Sequence, residues 1–184
     1  MFWPDVTRLK QFYNTLTGQV ACQVLRRHIK QFWPEMHDET LLGIGYTPPY
    51  LLPYLEQADL TIACMPAEQG VTHWPAASKN LAFLGDEGAL PLADNMVNRI
   101  LLVHALENSD QAHHMLSEAW RVLAPTGRIL IIAPNRIGVW ARASLSPFAH
   151  GRPYSTSQLR QLLTEDRFSP LDSHTALFFP PTRR

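Results

Sequence analysis

The stretch Leu84–Asn135, LGDEGALPLADNMVNRILLVHALENSDQAHHMLSEAWRVLAPTGRILIIAPN, decides the fold. Two short apolar runs flank one amphipathic segment. Arg99 to Val103 is leucine or β-branched at nearly every position, as expected of a strand covered on both faces of a parallel sheet, and Arg128 to Ala133 has the same character. Between them Met115, Leu116, Ala119, Trp120 and Leu123 recur at steps of three and four, which predicts a helix from near Asp110 to just before Pro125 with one apolar stripe. Strand, helix and strand in this order make a βαβ crossover.

The regions around this unit extend the pattern. Upstream, Asp5 to Phe32 has helical periodicity, with Val6, Leu9, Phe12, Tyr13 and Leu16 on one stripe and Val20, Val24, Leu25, Ile29 and Phe32 on a second. Thr17-Gly18 interrupts the two, and Thr17 is the expected cap of the second helix. Arg26, Arg27, His28 and Lys30 form a small basic cluster, read first as a solvated helix face. Thr40 to Gly45 reads as a first strand running into a glycine turn, Leu60 to Met65 as a second and Leu81 to Leu84 as a third. Pro48, Pro49 and Pro53 fit a helix only in its first turn or at a kink. The segment from Pro66 to Asn80 is broken by Gly70 and Pro75, so a loop or a single helical turn is expected there. Ser155 with Gln158 spells a capping box ahead of Leu159, Leu162 and Leu163, and residues 174–179 alternate as a candidate sixth strand.

The 184 residues suffice to bury a core within one domain: helices over 1–37, a core over 38–135, and a final loop, helix and strand over 136–184. Formal net charge is zero, so no overall positive field recruits nucleic acid or an anionic membrane. Cys22 and Cys64 lie in apolar contexts without CxxC spacing and read as reduced core thiols. No run approaches the length of a membrane span and no signal peptide is visible, so a cytoplasmic location is expected. His113 and His114 are adjacent and point about a quarter turn apart on a helix, so no metal site is expected. A nicotinamide-binding reading needs GxGxxG and an acid closing the second strand, where Pro48 and Met65 stand instead.

LPLADNMVNRILLVHALEN followed by EAWRVLAPTGRILIIAPN resembles the class I S-adenosylmethionine-dependent methyltransferases, particularly their type 11 group. That family shows LPF, an acidic loop, a strand, a histidine-containing turn and then E-x-x-RVL-x-PGG before another strand; Thr126 replaces one glycine of the PGG. The resemblance implies an α/β fold with a Rossmann-like, doubly wound, mostly parallel sheet. A seventh strand is not expected from this sequence, which would leave Ile129 to Ile132 as an open edge. Self-association is one expected cover for that edge.

The resemblance also implies a site. Gly43, Ile44, Gly45 and Tyr46 stand at the loop that cradles S-adenosylmethionine. Met65 stands where the family has the ribose-binding acid, with Glu68 three residues on. Asp86 matches the acid that accepts from the adenine amine, with Glu87 beside it, although a turn-forming aspartate before Gly88 is the competing reading. Leu41 and Asn98 replace two further family acids. His104, just after the fourth strand, faces the site in family terms as a general base, a substrate-orienting group or a packing residue. Arg136, Trp140, Arg142 and Arg152 are read as a wall for a small-molecule acceptor, because ligands of such sheets bind outside the strands' carboxyl ends. The implied activity is methyl transfer to a small molecule by in-line attack. The rival is a methyltransferase-like protein that binds a partner protein or a metabolite without catalysis, since losing a charged hydrogen bond of about 1.5–3 kcal/mol at the ribose weakens cofactor affinity about ten- to hundredfold.

Overall fold

A computed structural model describes residues 3–138, 140 and 146–178. Its centre is a five-stranded sheet, entirely parallel, in the order β3-β2-β1-β4-β5: β1 Thr40–Gly45, β2 Leu60–Pro66, β3 Ala82–Gly85, β4 Val97–Val103 and β5 Leu123–Ile132. The order reverses between β1 and β4, the position at which open parallel α/β sheets bind their ligands.

Alternation along the central strands sorts the core into two halves. Leu41, Ala63, Met65, Leu101 and Val103 face α1 (Val6–Asn14), α2 (Leu16–Phe32) and α3 (Pro48–Leu51), packing with Leu9, Tyr13, Leu25, Ile29 and Leu51. Leu42, Ile44, Cys64, Ile100 and Leu102 face the other way, onto Met115, Leu116, Ala119 and Val122 of α4 (Ala112–Val122). Leu159, Leu162 and Leu163 of α5 (Thr156–Glu165) flank this second half. Each fully buried aliphatic side chain contributes about 1.5–3 kcal/mol, so covering both faces is what holds the central strands together.

Several local readings shift. The cap of α2 is Thr15, not Thr17: its Oγ accepts from Gly18 N and donates to Phe12 O. Gly18 lies inside α2 because a Cβ there would run into the Phe12 carbonyl at the end of α1. Leu16, expected on the apolar stripe, is exposed at the first position of α2, and Trp120 sits half-exposed at the flank of α4 beneath the Arg167 guanidinium. Leu123 is already strand. β5 follows α4 directly, pairs Val97 with Leu123, bulges over Pro125–Gly127 and regains register with Arg99 opposite Arg128. Pro53 cuts the helix after β1 to a single turn of α3 and a 3-10 turn. The capping box of Ser155 and Gln158 is formed.

The candidate sixth strand is absent over 174–178, and Phe179 lies outside the described residues. His174 instead packs against Phe32 at 4.7 Å, and Leu177 adopts a positive φ of 57° that no strand tolerates. β5 therefore has β4 as its one strand partner among the described residues. Its open edge borders a broad apolar groove of about 1340 Å³ shared with α5 and residues 168–178.

Gly43 shows how tightly the sheet carries its helices, for a Cβ there would overlap Thr47 Oγ1 and lie 2.7 Å from Leu51 Cδ1. Gly43→Ala is expected to lower stability by about 1–3 kcal/mol through overpacking. Urea denaturation of the ligand-free protein measures this, and an unchanged midpoint would refute it.

Candidate functional site at the carboxyl ends of the strands

The site begins with one close backbone contact. β1 ends at Gly45, φ +87°, where a Cβ would collide with the Val103 carbonyl, and the next amide, Tyr46 N, donates to Val103 O at 2.9 Å. The turn after β1 therefore sits directly on the end of β4, and all of Gly43–Thr47 is buried. Thr47 N is used inside the turn, donating to Gly45 O.

β4 leads into a polar turn. His104 adopts φ +52°, an uncommon conformation for a residue with a side chain, and this turns the imidazole under α1. Tyr13 Oη lies 2.7 Å from His104 Nε2 and 2.7 Å from Tyr50 Oη, while His104 Nδ1 lies 3.5 Å from Glu107 Oε1. Phe148 packs on the His104 ring at 4.7 Å, and Tyr46 stacks on Tyr13 at 5.6 Å. Burial pushes the Tyr13 hydroxyl well above its usual range, reinforced by Tyr50; burial likewise raises Tyr50, and lifts Tyr46 to about 12. These phenols remain neutral, and those of Tyr13 and Tyr50 act as hydrogen-bonding groups.

The turn is sealed from outside. Arg152 N donates to Glu107 O at 2.7 Å, Tyr154 Oη to Leu106 O at 3.4 Å, and Gly151, φ +79°, packs on the Glu107 carbonyl. Gln69 reaches in from the loop after β2, donating to His104 O at 3.4 Å. Inside lie buried polar atoms without a hydrogen-bond partner among the described residues: Thr47 Oγ1, Gln69 Oε1, His104 Nδ1, both oxygens of Glu107 and both amide atoms of Asn108. Each buried polar group left unsatisfied costs about 1–3 kcal/mol, so this cluster at a strand-order reversal is the candidate ligand site.

A second, acidic corner lies at the ends of β2 and β3. Met65 is fully buried and offers no acceptor; Glu68 is exposed. Asp86 is exposed, and its Oδ1 accepts from Gly88 N at 2.8 Å, closing its own turn. Glu87 is half-buried and accepts from Ser109 Oγ at 3.2 Å. Burial raises its carboxyl above the ordinary range, with a further push from Asp86 and Glu68, so the three carboxylates share one corner. Asn98, at a family acid position, accepts from Thr40 N at 2.9 Å and ties the start of β1 to β4. Leu41 is buried within the sheet.

The four residues read as an acceptor wall separate. Trp140 is buried edge-on against Phe148 at 5.9 Å, with its Nε1 unpartnered among the described residues, and so joins the cluster around His104. Arg136 is exposed; Arg152 is exposed, with its guanidinium 3.7 Å from Asp110. Arg142 lies outside the described residues. Sequence reasoning missed Tyr13, Tyr50, Gln69, Glu107 and Asn108. The available signal was the run HALENS, whose polar residues come straight after a fully apolar strand and yet stay buried.

Residues 42–131 match the family described as Methyltransferase domain. That match covers the core of the chain, from β1 into β5. Over 88 residues the chain is 32% identical to the ubiquinone/menaquinone biosynthesis C-methyltransferase UbiE of Acidiphilium cryptum, covering 47% of this chain and 35% of that protein. The chain thus spans about a third of the length of that curated relative. Among solved structures, a S-adenosylmethionine-dependent methyltransferase of Thermotoga maritima, described as a possible histamine N-methyltransferase, superposes with a TM-score of 0.68 at 21% identity, over 90% of this chain and 78% of that one. A S-adenosylmethionine-dependent methyltransferase of Aquifex aeolicus gives 0.64 at 18% identity, over 88% and 87%. A putative methyltransferase in complex with the Haloferax volcanii Trm112 activator gives 0.65 at 16%, over 86% and 75%. At these identities the structural likeness establishes the fold, the Rossmann-like sheet of class I methyltransferases. Among the described residues no helix is long and apolar enough to cross a membrane.

Because the Glu87 carboxyl is raised in the folded protein, its protonated form favours folding. That contribution is complete in acid and is lost as pH climbs from the ordinary carboxylate range through the raised value. Glu87→Gln is expected to remove this loss, gaining stability over wild type at pH 7 but not at pH 4. Paired denaturation curves at the two values read the sign directly.

Proposed function

We propose that the chain is a S-adenosylmethionine-dependent methyltransferase acting on a small molecule. The observation that carries the reading is the set of unpartnered buried polar atoms on Thr47, Gln69, His104, Glu107 and Asn108, gathered at the carboxyl ends of β1 and β4 within the matched methyltransferase segment. A ligand combining an amino acid, a ribose and a base fits such a donor set. Gly43, Ile44, Gly45 and Tyr46 would lie along it, Met65 and Ala105 would supply apolar contact, and the Glu68, Asp86 and Glu87 corner would accept from ribose hydroxyls or the adenine amine. When bound, the cofactor supplies an activated methyl group. The chain's own residues orient the acceptor and exclude water, with His104 the residue best placed to manage its proton.

The substrate side rests on Trp140 and Phe148, which join an apolar wall to His104, and on Arg136, Arg142 and Arg152 as anion-recognising groups of the same segment. The names of UbiE and of a structural neighbour described as a geranyl diphosphate C-methyltransferase support a small organic acceptor. Neutral net charge supports it against nucleic acid. The open edge of β5 supports association of two copies through that strand.

A second reading is favoured by a specific observation. The ribose acid is replaced by a buried methionine, and the amides of Tyr46 and Thr47 are already committed to Val103 O and Gly45 O. A protein of this fold that binds a partner or metabolite without catalysis would tolerate both.

Calorimetric titration with S-adenosylmethionine and S-adenosylhomocysteine separates the two. Micromolar binding is expected, and Asp86→Ala is expected to weaken it about tenfold or more if that carboxylate meets adenine. No heat at millimolar ligand would leave the non-catalytic reading.

A further inference from the structure

We propose that the cleft between α2 and α3 is a second binding site, separate from the strand-end site, and that it takes a small aromatic anion: a single ring carrying a carboxylate or a phosphate. The inference goes beyond the methyltransferase reading and does not depend on it.

The cleft holds about 170 Å³. An apolar cavity of about 150 Å³ admits a benzene ring, so this cleft has room for one ring with its charged group at the rim. Ile29, Tyr50 and Tyr54 form the floor and are buried, while Pro34 and Pro53 flank the mouth and are exposed. The hydroxyls of the two floor tyrosines are taken up inside the protein: Tyr50 Oη lies 2.7 Å from Tyr13 Oη, and Tyr54 Oη donates to Trp33 O at 3.1 Å. What they leave for a ligand is ring surface.

The rim is cationic. Arg26, Arg27 and Lys30 of α2 line the cleft, and among the described residues no acidic side chain does. Arg26 and Lys30 stand one helical turn apart, which puts both charges on one face. Arg26 is held in place: its Nε donates to Pro49 O at 2.7 Å and its Nη2 to the same carbonyl, which leaves Nη1 without a hydrogen-bond partner among the described residues. None of the three cations forms an ion pair among the described residues. A solvated helix face accounts for Arg27 and Lys30, both exposed. It does not account for three unneutralised cations, one of them fixed by a backbone carbonyl, around a concave floor of aromatic rings. His28, the fourth basic residue of the stretch, turns elsewhere and packs against His174 at 5.7 Å. The arrangement selects for two properties together. A ring on the floor leaves water for apolar contact with Tyr50 and Tyr54, and a carboxylate or phosphate at the rim accepts charge-assisted hydrogen bonds from Arg26, Arg27 and Lys30. A neutral ring lacks the second property and a simple inorganic anion the first.

The test titrates the 15N-labelled, ligand-free protein with benzoate and with phenyl phosphate, two head groups on one ring, and follows the backbone amide shifts by NMR. Saturable shifts are expected to concentrate on residues 26–34 and 50–57, with millimolar affinity or better for at least one of the two. Benzamide, the neutral isostere of benzoate, and inorganic phosphate are expected to bind there about tenfold more weakly or worse. Arg27→Glu together with Lys30→Glu is expected to weaken the aromatic anions about tenfold or more, whereas Arg8→Glu together with Arg160→Glu, exposed cations of α1 and α5 outside the cleft, leaves their affinity within twofold. Should the first pair fail to fold, Arg27→Gln with Lys30→Gln removes the charges without reversing them and is expected to weaken binding about fivefold. The proposal is overturned if neither anion gives saturable shifts at these residues up to tens of millimolar, if benzamide binds as tightly as benzoate, or if a folded variant of Arg27 and Lys30 binds within twofold of wild type. S-adenosylhomocysteine takes no part in the measurement, so its failure to bind refutes the methyltransferase reading alone.

Discussion

The contact between the turn after β1 and the end of β4 is the constraint on which the rest of this structure depends. Gly45 brings its backbone against the Val103 carbonyl closely enough that a β-carbon would collide, and the Tyr46 amide fastens the contact. With the two central strand ends locked together, the segments that leave them converge on one place. Thr47 and Tyr50 enter from β1, His104 and Glu107 from β4. α1 supplies Tyr13 across the top.

The same contact separates two uses of glycine. In a cofactor loop glycines let backbone approach a ligand; here Gly43 makes room for Thr47 and Leu51 of the following helix, and Gly45 for a neighbouring strand. The polar groups available to a ligand are therefore mostly side chains. Glu87 stands with Asp86 and Glu68 beyond β3, and Gln69 reaches from the loop after β2 to the turn that carries Glu107 and Asn108.

The sheet edge is a separate matter. β5 carries Pro125 and Gly127 in its bulged beginning and an apolar run at its regular end. The described C-terminal segment passes alongside without pairing, held by contacts such as His174 on Phe32. Backbone pairing there is decided by the positive φ at Leu177 as much as by hydrophobicity.

The sequence by itself determined the parallel sheet, the βαβ unit and the order of elements, because burial on both faces writes uninterrupted apolar runs and a helix lying on a sheet writes a three-to-four-residue stripe. It also placed the ends of the first four strands at Gly45, Met65, Leu84 and Val103, within one residue of where they fall. It misjudged Thr17, Leu16 and the described part of the last segment, 174–178, where a cap, a helix start and a non-extended backbone turn on single dihedral angles that local composition does not encode. Only tertiary structure joined Tyr13 to His104 across ninety-one positions and to Tyr50 across thirty-seven. Tyr13 on a helical stripe reads as packing, and it becomes part of a polar line only when α1 is laid over the end of β4. The physical reason is that burial is repetitive and local, so it prints a period on the chain. A hydrogen-bonded line between separate elements has no period, and it exists only in the folded protein.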